Sequence, residues 1–364
     1  MYNGMELNNL AQELKRQLES KKDLKAPTTC LEVSVSHGDD DVINGKPELR
    51  LEVGDKGTYH MTSHFHNQVG TWAGIPSKYY DRMQQEAPRL LADNLNHWLH
   101  HSLDEKTGGP QTKLVRLLDS QARAFLSNRY RTIDNWDIAE VALPIMAQGE
   151  CKVLSSNVDY NKMYLKAASP RLTREVKKGD VVQLGVSLSN SEVGQGSVKV
   201  EPFIYRLACL NGLIIPDASL KKFHIGRLAD ELEAAQDVFR DETRQADDRA
   251  FMLKVRDVLT ASFEEARFTA ILERMQASTT EKLSKPIAKV VEEVVQRYRL
   301  SESSGESVLQ HLASGGDLTR WGLVNAVTRT AEDQTTYEQA TVLERLGGEI
   351  LTADGKTWKE LAAA

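Results

Sequence analysis

Up to about residue 226 the apolar residues of this chain alternate over short runs, and from about residue 228 to the end they recur at helical spacing. Strand side chains point to opposite faces with a repeat of two, whereas helix side chains return to one face every three to four residues, so the switch separates two kinds of structure. The expectation is an α+β protein: a mixed or largely antiparallel sheet with packed helices over residues 1–226, then a helical region over 227–364 packed on it. A chain of 364 residues, 40% hydrophobic and 27% charged, has the size and balance to bury such a core.

In the first part, residues 4–22 read as a helix, followed by β-rich runs at 30–36, 48–53 and 57–61 separated by Gly, Asp and Asn turn signals. Thr62 or Ser63 is placed to cap a helix ending near Gly74, Pro76 opens another with Tyr79, Tyr80 and Met83 along one side, and 88–103 reads as a further helix. The β signal returns at 151–167 and 181–190, and "SNSEVGQGS" is a Gly-containing turn before 198–201 resumes the strand. Pro202 then opens a short helix, "PFIYRLACL", closed by Asn211-Gly212 as its C-cap. In the second part Leu228, Leu232, Ala235 and Phe239 begin an amphipathic series that Phe251 to Met275 continues, and Ile287 to Tyr298 follows Pro286. "SESSGES" at 301–307 breaks the pattern before "LTRWGLVNAVTRTAED" and a last helix near 336–350.

The segment "KLVRLLDSQARAFLSNRYR" carries most of the functional signal. A hairpin turning at Ser120-Gln121 pairs Leu118 with Arg123, Arg116 with Phe125, Leu117 with Ala124 and Val115 with Leu126. One face then holds Val115, Leu117, Ala122, Ala124 and Leu126 for the core. The other holds Arg116, Leu118, Arg123 and Phe125, cations interleaved with an aromatic ring, which suits phosphates and stacked bases. The alternative is that Arg116 and Arg123 pair with acids from another element while Phe125 is simply covered. Beyond the hairpin, Arg129-Tyr130-Arg131 forms a polar turn, and Asp134 or Asn135 caps a helix carrying Ile138, Val141, Ala142, Ile145 and Met146, with Pro144 kinking or ending it. The net charge of −6 opposes nucleic-acid binding, but residues 113–206 hold 14 Lys/Arg against 10 Asp/Glu, so a basic surface is available locally.

Catalytic signatures are sparse. His60, His64, His66, His97, His100 and His101 include spacings that approach a metal pattern, without HExxH, and fit helix-surface or interfacial roles. Asp39-Asp40-Asp41 reads as a solvated acidic turn. Gly194 and Gly196 match neither a P-loop nor a dinucleotide fingerprint. Cys30, Cys151 and Cys209 lack a CxxC pair and fit reduced, buried thiols. With no apolar run of membrane-spanning length and no signal-peptide core in "MYNGMELNNLAQELKRQLESKKDLK", a cytoplasmic location without membrane contact is expected.

"GIPSKYYDRM", "NLNHWL", "VRLLDSQARAFLSNRYRTIDNWDIAEVALPIM", "SNSEVGQGSVKVEPFIYRLACLNGLII" and "LTRWGLVNAVTRTAED" follow in an order that resembles the domain of unknown function 932 family of phage and plasmid-like proteins, over roughly residues 60–350. The resemblance implies a mobile-element context and carries no catalytic residue with it. The functional expectation is a DNA-associated accessory protein that binds or anneals single-stranded DNA without catalysis, with no cofactor or metal. Arg116, Arg123, Arg129 and Arg131 hold phosphates, and Phe125 and Tyr130 stack bases. Two other classes stay open: a metal-dependent enzyme acting on nucleic acid through scattered carboxylates such as Asp134, Asp159 and Glu192, and a non-enzymatic protein-interaction module. Self-association into a homo-oligomer is compatible with each.

Overall fold

The computed structural model describes residues 5–36, 42–43, 46–216 and 241–362. Helix α1 (Leu7–Ser20) runs straight into strand β1 (Lys21–Pro27), followed by β2 (Leu31–Val35), a ribbon of β3 (Val42–Ile43) and β4 (Lys46–Pro47), β5 (Leu49–Val53) and β6 (Thr58–Met61). Three helices then intervene, α2 (Ser63–Trp72), α3 (Ser77–Glu86) and α4 (Pro88–His101), before the hairpin of β7 (Thr112–Leu118) and β8 (Gln121–Ser127). These strands make a six-stranded sheet in the order β1-β7-β8-β6-β5-β2. All its pairs are antiparallel except β6 with β8, which the long α2–α4 excursion allows to run parallel. Thr62 caps α2 by accepting from the Phe65 N–H, as its residue type suggests. The face bearing Val115, Leu117, Ala122, Leu31, Val33 and Leu51 packs on Phe65, Leu91 and Leu95 of the helices.

Helix α5 (Asn135–Gln148) leads to a second sheet, a meander of β9 (Lys152–Val158), β10 (Met163–Lys177), β11 (Asp180–Asn190), β12 (Lys199–Arg206) and β13 (Asn211–Ile214), each strand antiparallel to the next. The helical region consists of α6 (Asp241–Ser262), α7 (Glu265–Ser278), α8 (Ile287–Tyr298), α9 (Glu302–Gly315), α10 (Arg320–Arg329), α11 (Tyr337–Thr352) and α12 (Gly355–Ala362). Met163, Leu165, Val186 and Leu188 of the second sheet pack with Leu10, Ile138 and Val255 from α1, α5 and α6. Val182, Leu184, Ile204 and Leu213 join Phe268, Val290, Trp321 and Leu343 in a larger core with α7–α12. The fold is therefore α+β, with two largely antiparallel sheets and a C-terminal helical region. Among the described residues no helix is long and apolar enough to cross a membrane.

Several local expectations are corrected. Residues 202–206 continue β12 instead of opening a helix, and Asn211-Gly212 start β13 instead of capping one. Pro202 fits because its carbonyl accepts from the Ile215 N–H beyond the last β12–β13 pair, Phe203 with Ile214. In an antiparallel strand a residue's N–H and C=O point to the same side, so the missing N–H falls where the ladder has ended. Gly212 is required by contact: a side-chain carbon there would overlap the Phe203 ring. The Ser/Gly-rich 301–307 stretch is the start of α9, not a break; Ser301 accepts from Ser304 N at 3.2 Å, and Gly305 lets Val295 of α8 approach closely. The first helix stops at Ser20, and Lys21–Pro27 is an edge strand. The series at Leu228, Leu232, Ala235 and Phe239, the Asp39-Asp40-Asp41 turn and the 226/227 boundary lie outside the described residues.

Candidate nucleic-acid interface

The β7–β8 hairpin forms, but its pairing departs from the expected register by two residues beside the turn and by one beyond a bulge. Its turn is Asp119-Ser120, with Leu118 opposite Gln121, Leu117 opposite Ala122, Arg116 opposite Ala124 and Val115 opposite Phe125. Asp119 takes the positive φ of 54° that a tight two-residue hairpin loop demands. Arg123 is the extra residue of a bulge between the Leu117 and Arg116 pairs. Beyond the bulge the alternation resets, so Phe125 joins Val115 and Leu117 in the core instead of standing beside the arginines. There it meets Phe65 and Trp72 edge-on, with centroids 5.7 and 5.2 Å away.

Arg116 and Arg123 are both buried, at 0% and 1% exposure, which corrects the expectation that they line an open face. Arg116 donates through Nε and Nη2 to the two Asp23 oxygens at 2.8 and 2.9 Å, through Nη2 to Asp134 at 2.7 Å, and through Nη1 to the Glu192 carbonyl at 2.8 Å. Lys21 completes the pairing of Asp134. Arg123 Nη2 lies 2.6 Å from Glu192 Oε2, an ion pair whose alignment falls short of a hydrogen bond, and its Nε has no acceptor among the described residues. Lys21, Arg116 and Arg123 thus face Asp23, Asp134 and Glu192, three charges against three. A phosphate entering here would have to displace a carboxylate and be desolvated, so the network is closed to a nucleic-acid backbone.

Electrostatics agree with that geometry. Burial pushes the Asp134 carboxyl up, but Arg116 and Lys21 more than offset it and the net shift is down. Burial opposes the charge of Arg116, and Asp23, Asp134 and Glu192 outweigh it, so the guanidinium is held more firmly protonated. The network also starts α5. Asp134 occupies the N-cap position without capping, because its carboxylate is taken by the cations. Glu192 caps in its place, accepting from Asn135 N at 2.6 Å, and Asn190 donates to Asn135 Oδ1 at 2.9 Å. The "SNSEVGQGS" turn is therefore a docking loop: Val193 O accepts from Gln68 at 2.9 Å, while Gln68 Oε1 accepts from Phe125 N at 2.7 Å. Gly194, at φ 79°, lies against Leu126 and Tyr130.

The remaining expected residues stay near the surface. Tyr130 is half-buried, its hydroxyl donating to Ser191 O at 3.4 Å, and burial pushes its pKa up. Arg131 reaches α6, where its Nη1 lies 3.1 Å from Asp247 and its Nη2 2.6 Å from Asp248, and its guanidinium sits 4.9 Å from the Phe251 ring centre. Arg129, half-buried, approaches Asp104, whose carboxyl is held low first by Thr107 and Lys106 N–H groups and then by Arg129. The structure brings Arg116 and Arg123 into one network, leaves Arg129, Tyr130 and Arg131 on one turn beside it, and removes Phe125 to the core.

The other sequence candidates disperse. His66 is buried against Tyr80 with Nδ1 2.7 Å from the hydroxyl, His64 Nε2 lies 2.8 Å from Val193 O, and His97 and His101 stack at 4.6 Å. Among the described residues no three His, Cys, Asp or Glu side chains gather as a metal-ion set. Cys30 is exposed, not buried, and Cys151 and Cys209 are intermediate. Sequence reasoning missed Lys21 and Asp23, which the helix reading had absorbed or passed over, and the fully buried pair of Lys166 and Glu344. A signal existed for the last: one charge inside the apolar strand run "MYLKAA" requires a buried partner.

An α+β scaffold with a self-neutralised ionic interior beside the Arg129-Tyr130-Arg131 turn defines a class of protein without naming a reaction. The chain belongs to the family described as Domain of unknown function (DUF932), whose model matches residues 123–346. That match starts at the bulged Arg123 and ends within α11, a narrower span than the 60–350 resemblance. Comparison with curated proteins and with solved structures finds no match.

Proposed function

We propose that the protein is an accessory protein of a phage or other mobile element that binds single-stranded DNA without covalent chemistry, through the turn at Arg129, Tyr130 and Arg131. The observation that carries this reading is the state of Arg131: its side chain, 27% exposed, pairs with Asp247 and Asp248, which are 56% and 58% exposed. Both acids are solvated, so turning them out to water costs little, about 1 kcal/mol, and leaves Arg131 Nη1 to a phosphate oxygen. Family membership supplies the mobile-element context. Arg116 and Arg123 then have an indirect role: with Glu192 they fix the hairpin and the start of α5, and so set where the 127–134 segment runs.

Fluorescence anisotropy with labelled oligothymidylate, duplex DNA and RNA tests the proposal. The expected result is salt-sensitive binding to the single strand that weakens in Arg131→Ala while the melting temperature stays near that of the unmodified protein. Absence of binding at low salt to any of the three nucleic acids would sink it.

A further inference from the structure

Helix α6 starts with a stretch that has no core to cover. Residues 242–243 and 245–249 are exposed, and among the described residues of the helix the first buried side chain is Phe251, which enters the core with Val255, Val258 and Leu259. The later turns therefore dock the helix. The stretch before them places Asp247 and Asp248 against Arg131.

The two acids serve Arg131 unequally. Asp247 Oδ2 accepts from Nη1 at 3.1 Å, whereas Asp248 Oδ1 lies 2.6 Å from Nη2 without the alignment of a hydrogen bond. Nε and Nη2 are buried and have no hydrogen-bond partner among the described residues, so Nη1 is the nitrogen a ligand can reach. One guanidinium thus meets two carboxylates, and its positive charge is more than cancelled within the contact. One aligned acid would suffice to pin α6; the second adds negative charge where a phosphate would approach. The Phe251 ring, its centre 4.9 Å from the guanidinium carbon, keeps Arg131 in place when the carboxylates turn out to water.

We infer that Asp247 and Asp248 are an autoinhibitory phosphate mimic: they occupy Arg131 in the free protein and turn out before a nucleic-acid phosphate takes Nη1. The inference rests on the binding turn proposed above and supplies its regulation. Carboxylate and phosphate oxygens are the same kind of acceptor for a guanidinium, so they compete for it. A competitor built into the chain lowers the apparent affinity by the fraction of molecules in which the site is free.

The test is the affinity of the full chain for labelled oligothymidylate in the unmodified protein and in Asp247→Asn/Asp248→Asn, each with and without Arg131→Ala. Asparagine keeps the size and removes the charge, and both positions are more than half exposed, so the fold is retained. Glu302→Gln/Glu306→Gln, at exposed positions of α9, changes the net charge by the same amount and serves as the control. The inference requires the Asp247→Asn/Asp248→Asn protein to bind about threefold to tenfold more tightly. The control should gain less than about twofold, and the gain from the asparagines should vanish with Arg131→Ala. Unchanged affinity, a gain that persists without Arg131, or a gain matched by the control overturns the mimic. The unmodified protein and Arg131→Ala alone report on the turn itself, so the two failures are separately visible. If no protein of the set binds, the turn and its mimic both fall.

Discussion

Replacing Glu192 with alanine removes one carboxylate that serves two buried partners. Arg123, 1% exposed, loses its ion pair, and Asn135 N loses the acceptor that starts α5. Arg116 loses the nearby Glu192 charge but keeps its hydrogen bonds to the Glu192 carbonyl, Asp23 and Asp134. Breaking a buried pair by deleting one partner costs about 3–5 kcal/mol, chiefly because the other charge is left desolvated and unpaired. Glu192→Gln retains an acceptor for Asn135 N, so its loss should be smaller, about 1–3 kcal/mol. The double variant Arg123→Met/Glu192→Leu removes both charges and should be less destabilised than Glu192→Ala, although Asn135 N still lacks its acceptor. Urea denaturation followed by tryptophan fluorescence and far-ultraviolet circular dichroism measures all three. If Glu192→Ala lies within about 0.5 kcal/mol of the unmodified protein, Arg123 is not held as described and the closed-network account is wrong.

Burial lowers the pKa of His66 from 6.5 to about 4, so the unfolded chain binds the extra proton between those values and the folded chain does not. Its contribution, about 3 kcal/mol, is present above pH 6.5 and is lost as the pH falls through 4. His66→Gln should flatten this segment of the stability-against-pH curve, and an unchanged curve would refute the assignment. Cys30 is exposed, whereas burial pushes the Cys151 thiol up to about 11, so a thiol reagent at pH 8 should modify Cys30 first and Cys151 slowly; mass spectrometry showing the reverse order would contradict the burial. A side-chain carbon at Gly348 would overlap the Ile214 carbonyl oxygen, so Gly348→Ala should destabilise by about 1–3 kcal/mol in the same denaturation assay.

Elements whose signals were local were legible in the sequence. Pro286 followed by valines at helical spacing gives Ile287–Tyr298 with its observed bounds, and Thr62 caps α2 as its residue type suggests. Signals that two structures share were misread. "PFIYRLACL" satisfies both periods, and only its pairing with β11 and β13 makes 202–206 a strand. The hairpin was legible as a hairpin, but the bulge at Arg123 was not. One inserted residue exchanged Phe125 with Ala124 between faces and turned an apparent cation-aromatic surface into a core and an ion network. The partners of that network come from residues 23, 134 and 192, brought together by tertiary packing that no spacing rule reports. The alternative in which Arg116 and Arg123 pair with acids from another element matches the network in kind, without its partners.

The most direct measurement for the proposed binding turn is the salt dependence of oligothymidylate affinity for the unmodified protein and for Arg129→Ala/Arg131→Ala. Counterion release makes the logarithm of affinity fall with the logarithm of salt by about 0.7 for each single-strand phosphate neutralised. If both arginines hold phosphates, the double variant should bind more weakly at low salt, with a slope shallower by about 1.4. A stable double variant with the unmodified slope and affinity at every salt would contradict the account.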